Sequence, residues 1–179
     1  MNESLSQTKP IRLHLGCADV RLPDYLNMDV RNTVATDLVG DAWDLHEFKD
    51  GSVASIYTRH MIEHLEPDDA TRSFREWARV LSAGGHAHII CPDLVFHAKQ
   101  YLGMAISTIT NDQHFHAMAG FYGWKVESRG GSRYDAHRWG YSFETLSAAL
   151  KHAGFSRVER VLQGKDSEPW HLNVMAYKG

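Results

Sequence analysis

The stretch from Val53 to Asp93 constrains the fold more than any other part of the chain. It holds a strand-like VASIYTRH, the tripeptide Glu63-His64-Leu65, an amphipathic run ending in ARVLSAGG, and a second apolar run, HAHIICPD. Strand, helix, glycine stop and strand in that order make one parallel unit, since parallel neighbours need a crossover connection and a helix supplies it. The polar residues that follow each strand then fall on one sheet edge, which is where open α/β sheets bind ligands.

The rest of the chain extends this unit. Four short runs bounded by turn residues read as strands: IRLHLG (11–16), DYLNMDV (24–30), TDLVGDA (36–42) and VASIYT (53–58). Pro67-Asp68-Asp69 opens a helix on which Phe74, Trp77, Ala78 and Leu81 recur at helical spacing, and Gly84-Gly85 is expected to stop it. The chain is then less regular, with a helical stretch near 94–102, a segment 111–120 and a Gly-, Ser- and Arg-rich loop over 123–139. Ser142 caps a last helix that ends at Gly154, and strands near 156–162 and 171–177 close the sheet. Residues 1–10 read as a disordered leader, and 11–179 as a single domain with a lid-like insertion at about 94–141.

Bulk properties narrow the function. A length of 179 residues suits one domain, and a net charge of −3 provides no global basic field for a nucleic-acid backbone. Neither a signal peptide nor an apolar run of about 18 residues is visible, and the two cysteines, Cys17 and Cys91, form no disulfide framework. The expected location is cytoplasmic. Twelve histidines invite metal chemistry, although packing and supporting roles account for histidines equally well.

A first strand ending in Leu15-Gly16-Cys17-Ala18 and a second ending in Asp29 follow the general scheme for a nucleoside ligand. Small residues let the ligand approach the backbone, and a carboxylate accepts its ribose hydroxyls. The spacing from Gly16 to Asp29 is too short for the dinucleotide fingerprint, which places its acid about twenty residues on, so an NAD site is disfavoured.

Three longer segments carry a more specific likeness: HLGCADVRLPDYLNMDV, GDAWDLHEFKDGSVASIYTRHMIEHL and ARVLSAGGHAHIICPDL. In this order they resemble the small class I S-adenosylmethionine-dependent methyltransferases of the type-11 kind. FYGWKVESRGGSRYDAHRWGYSFETLSAALKHAGF looks like a subfamily element leading into the last helix. The resemblance implies an α/β, three-layer, doubly wound Rossmann-like fold with seven strands in the order 3-2-1-4-5-7-6 and the last strand antiparallel. It implies S-adenosyl-L-methionine as cofactor, with Leu15, Gly16 and Cys17 against its methionine part and Asp29 and Val30 at the ribose. Asp41 and Ala42 would flank the adenine, while Arg59, His60 and Met61 would face the cofactor and its methyl. His14 stands where many members carry an acid, and Ala18 where a second glycine is usual, so backbone carbonyls or Asp19 are expected to meet the cofactor ammonium.

Methyl transfer from a sulfonium is an in-line displacement that needs positioning, water exclusion and, for a hydroxyl acceptor, a base. His60 and His137 are the leading base candidates, with Asp93 third. In the insertion, His114, Tyr122, Trp124 and Trp139 are candidates for the substrate pocket, because amphipathic rings commonly line one. The expected partner is a small-molecule or saccharide-like acceptor rather than a nucleic acid or a membrane, with a homodimer left open. Two other readings compete. One is a non-catalytic protein that keeps the fold and the cofactor site. The other is a zinc hydrolase, because His60-Met61-Ile62-Glu63-His64 matches the HxxEH pattern of inverted zinc peptidases. No spaced third-ligand motif follows downstream, so no metal is expected.

Overall fold

The computed structural model describes residues 10–124 and 135–179. Most of the expected leader and the centre of the Gly- and Arg-rich loop lie outside these described residues. Strands β1 (Ile11–Leu15), β2 (Leu26–Asp29), β3 (Leu38–Val39), β4 (Val53–Arg59), β5 (Leu81–Pro92), β6 (Phe155–Arg160) and β7 (His171–Lys178) form one sheet. Its order is β3-β2-β1-β4-β5-β7-β6, with β7 antiparallel to both neighbours, as the sequence reading expects. Helices α1 (Pro67–Val80), α2 (Leu94–Tyr101), α3 (Gln113–Tyr122) and α4 (Phe143–Ala153) complete the fold, with a short 3-10 turn at Ile62–His64.

The glycine pair does something other than stop the helix. Leu81 is already extended and pairs with Val53, so α1 ends at Val80. Ser55 pairs next with His86, which leaves residues 82–85 looped out of the ladder. Gly84 takes φ +73°, and a Cβ on Gly85 would stand 3.0 Å from the Ala54 carbonyl oxygen. The pair therefore builds a bulge where backbone approaches backbone, a usual place for glycine in a strand. Burying Leu81 beside Val53, both in the core, outweighs one further helical turn.

The apolar face of α1 buries Phe74, Trp77 and Ala78 as its spacing predicts, and the Trp77 indole N–H donates to the Ala42 carbonyl at 2.9 Å. That bond ties α1 to the end of β3. Arg79, at the last turn of α1, donates to the Leu45 and Phe48 carbonyls and pairs with Glu76 and Asp50. It holds the loop between β3 and β4 against the helix. Removing it takes a charged donor from the Leu45 and Phe48 carbonyls and from the Glu76 carboxylate, so Arg79→Ala is expected to cost about 2 kcal/mol, read as a lower urea midpoint. Arg79→Lys should recover less than half of this, because an ammonium lacks the planar fork.

Helix α4 starts at a capping box in which Ser142 and Thr145 satisfy each other's backbone N–H, and it ends at left-handed Gly154. Helices α2 and α3 pack together through His97 and His116, whose rings meet at 5.0 Å. Gly120 lies directly against the His97 ring, leaving no room for a Cβ. Burial, reinforced by the His116 neighbour, pushes His97 down to about 4. Its folded pKa lies below its unfolded value, so between those two pH values the unfolded chain binds the extra proton. Stability is therefore present above about 6.5 and falls as the pH drops toward 4, by roughly 3 kcal/mol from this one group. Urea midpoints at pH 7 and pH 4.5 should differ more for the native chain than for His97→Leu; equal differences would refute the assignment.

Candidate active site

A cavity of about 590 Å³, within the range of small-ligand sites, opens at the carboxyl ends of β1 to β4. Its floor is Leu15 and Gly16 after β1, and one wall is Met28, Asp29, Val30 and Arg31 at the end of β2. Gly40, Asp41, Ala42 and Trp43 after β3 form a second wall, and His60, Met61 and His64 after β4 a third. Glu66 and Asp69 at the start of α1, with Arg138, complete its lining.

Gly16 has φ +72°, and its N–H donates to the Met28 carbonyl at 2.9 Å. A Cβ there would overlap Met61, standing 2.7 Å from its Cβ, so this turn accepts only glycine. Asp29 is 6% exposed, and one carboxylate oxygen accepts from the Ala18 N–H at 2.8 Å while the other accepts from Arg31 N–H at 2.9 Å. The carboxylate thus fixes the Gly16–Ala18 turn and keeps further lone pairs for a ligand. Burial raises the Asp41 carboxyl, and the neighbouring Asp69 and Asp44 raise it further.

A family model described as a methyltransferase domain matches residues 24–89, which run from before β2 into β5. An S-adenosylmethionine-dependent methyltransferase from Thermotoga maritima has the same fold, with a TM-score of 0.60 and 16% identity over 94% of this chain and 82% of that one. One from Archaeoglobus fulgidus gives 0.60 and 13% over 95% and 87%, and one from Methanosarcina mazei 0.58 and 16% over 94% and 92%. No curated protein matches significantly. The chain has the fold of class I S-adenosylmethionine-dependent methyltransferases. The residues lining the cavity fit S-adenosyl-L-methionine, the cofactor that this fold implies: a floor opened by Gly16, a carboxylate at the end of β2, and a mixed polar and apolar wall after β3.

Of the cofactor residues expected from the sequence, the fold brings Leu15, Gly16, Asp29, Val30, Asp41, Ala42, His60 and Met61 to the cavity. Cys17 is buried, its thiol near the Thr36 hydroxyl, so only its backbone belongs to the turn. Arg59 is held by a bidentate ion pair with Asp166, at 2.8 and 3.1 Å, and does not line the cavity. His14 lies in β1, buried against Asn27, with burial lowering its pKa.

The substrate residues expected from the sequence also lie elsewhere. His114 stacks on Tyr101, Trp124 meets Phe115, and Tyr122 and Trp139 are more than half exposed; none lines the cavity. The rings of α2 and α3 mainly pack those helices on each other. Asp93 caps α2 by accepting from the Val95 and Phe96 N–H groups, and it pairs with Arg160. Sequence spacing gave no sign of Trp43, Glu66, Asp69 or Arg138 at the cavity, because their approach depends on how α1 and the returning chain pack.

The HxxEH segment does not form the helix that the zinc-peptidase reading requires. His60 has φ +52° and precedes a 3-10 turn of only three residues, so His60 and His64 do not share a helical face. His60 Nδ1 instead lies 3.1 Å from Glu63 Oε1, and its ring meets His171. Glu63 is 1% exposed. Burial alone would raise its carboxyl, but the His60 hydrogen bond and the imidazoles of His60, His64 and His137 outweigh it and hold it below the usual range. For His137 burial dominates and lowers the imidazole.

Proposed function

We propose that this protein is an S-adenosylmethionine-dependent methyltransferase that transfers a methyl group to a small-molecule or saccharide-like acceptor in the cytoplasm. The observation that carries this reading is the cavity itself: about 590 Å³ must hold cofactor and acceptor group together, which leaves room for a small group only. His64, Glu66 and Arg138, which also line it, are donors and acceptors suited to hydroxyl-rich ligands. A net charge of −3 gives no support to a nucleic-acid acceptor. Among the described residues no helix is long and apolar enough to cross a membrane.

In this reading Gly16 gives the cofactor its close approach to the backbone, and Asp29 receives the ribose hydroxyls with lone pairs not used by the turn. Asp41 and Trp43 bracket the adenine, and Met61 covers the Gly16 turn. Bound S-adenosylmethionine supplies an electrophilic methyl on its sulfonium. His60 is the group placed to take the proton of a hydroxyl acceptor: it lies on the cavity wall, and Glu63 engages its Nδ1, leaving Nε2 for the acceptor. Asp93 is assigned a positioning role, since both its oxygens are already engaged.

Calorimetry with S-adenosylmethionine, followed by a screen of acceptors for released S-adenosylhomocysteine, tests the proposal. One cofactor per chain and turnover with sugars or small hydroxyl or amino metabolites are expected. No binding at millimolar cofactor, or turnover only with nucleic acid or protein, would overturn it. Binding without turnover on any acceptor would favour the non-catalytic reading.

A further inference from the structure

We propose that Glu63, His64 and His137 form a binding site for a divalent first-row transition cation of the zinc class on the wall of the cofactor cavity. One ligand atom from each side chain lies within 4.8 Å of the others. The backbone produces the juxtaposition: the N–H groups of Arg138 and Trp139 both donate to the Glu63 carbonyl, at 2.8 and 3.2 Å, which sets His137 beside Glu63.

The hydrogen bonds fix how the imidazoles point. His64 Nδ1 lies 3.1 Å from the Ala136 carbonyl oxygen, and His137 Nδ1 2.9 Å from that of Gly120. A carbonyl can only accept, so both Nδ1 atoms carry hydrogens and donate, and the lone pair of each neutral ring is on Nε2. Metal-binding histidines are held in the same way, with the second ring nitrogen donating to a carbonyl or carboxylate. His137 Nε2 then stands 4.0 Å from Glu63 Oε1, one acceptor facing another. Oε1 is already engaged by His60 Nδ1, but the Nε2 lone pair of His137 has no donor there, and a cation between the two would take both.

A second observation is independent of the ring geometry. Glu63 is almost fully buried, yet its Oε2 has no hydrogen-bond partner, an arrangement that costs stability unless something occupies that oxygen. Two imidazoles and a carboxylate are a donor set that zinc accepts, and three protein ligands leave a tetrahedral ion one position for a substrate atom. The other group of this kind, Asp166, Glu168 and His171, differs because Arg59 already neutralises Asp166 in a bidentate pair.

His64 lines the cavity, so the ion's remaining position would serve an acceptor oxygen next to the cofactor. That use rests on the methyl-transfer reading; binding of the ion does not. The test is therefore made on chelator-treated full-length protein without cofactor, titrated with Co²⁺ and followed by visible absorption and calorimetry, with Zn²⁺ as competitor. One Co²⁺ per chain, displaced by Zn²⁺, is expected. His137→Ala and Glu63→Gln should each weaken it by at least about 100-fold, while His46→Ala, a surface histidine paired with Asp44, should leave it unchanged. Circular dichroism of each variant separates lost ligation from lost folding, and His64→Asn supplies a third variant should Glu63→Gln not fold. Absence of stoichiometric binding to the native chain, or folded variants that bind as tightly as it does, would overturn the site. Cofactor binding is measured separately, so failure of the metal site and failure of the methyltransferase reading are told apart.

Discussion

Gly16→Ala is expected to abolish useful cofactor binding while leaving the chain folded. The positive φ of +72° costs a residue with a Cβ about 1 to 2 kcal/mol, and the new methyl overlaps Met61, which must then move. Met61 lines the cavity, so relief of that overlap comes at the expense of ligand volume. Together these effects should weaken binding by at least about 100-fold, or close to 3 kcal/mol. Calorimetry with S-adenosylmethionine measures the affinity, and a urea midpoint reports the smaller change in folding. A variant that binds within about threefold of the native chain would show that the turn after β1 is not the cofactor floor.

Asp29→Ala should produce the second large effect, and it separates two roles of one carboxylate. The variant leaves the Ala18 and Arg31 N–H groups without their acceptor, which costs about 1 to 3 kcal/mol of stability for each group that stays buried. It also removes the acceptor proposed for the ribose hydroxyls, and the affinity for the cofactor should fall by about 100-fold or more. The two contributions are separable with a 2′-deoxy analogue of S-adenosylhomocysteine. If Asp29 meets the ribose, the substitution costs less affinity for the analogue than for the parent compound. Equal losses for both ligands would mean that Asp29 acts only by holding the turn.

Much of the architecture is legible because local patterns and tertiary packing agree. Phe74, Trp77 and Ala78 fall on one face of α1 by spacing alone, and that face is the one the core buries. Ser142 and Gly154 mark the ends of α4 through capping chemistry that is local to the chain. The glycine pair at 84–85 misled for a physical reason: glycine permits a helix stop and a strand bulge equally, and only the pairing of Val53 with Leu81 decides between them. The HxxEH pattern needs a helix to bring its two histidines to one face, and this segment starts with His60 at positive φ.

The cofactor side of the site was more legible than the acceptor side. Gly16, Asp29 and Asp41 sit at or just after strand ends, and a parallel sheet carries its strand ends to one edge whatever the intervening loops do. The candidates for meeting the acceptor are aromatic rings on α3 and the adjoining loop. Those rings had a competing use, packing the two helices together, and the burial of His97 against Gly120 shows how closely they fill it.

By itself, then, the sequence determined most of the strands, the amphipathic helices and their caps, which follow from periodicity and turn chemistry written over short stretches of chain. The strand order and the kind of cofactor came from the likeness of its motifs to a known family, not from periodicity. Only the tertiary structure decided that Arg59 is spent on Asp166, that Asp93 caps α2, and that His137 meets Glu63 and His64. Each of these depends on a contact between residues distant in sequence, where one side chain has several partners available and packing selects among them.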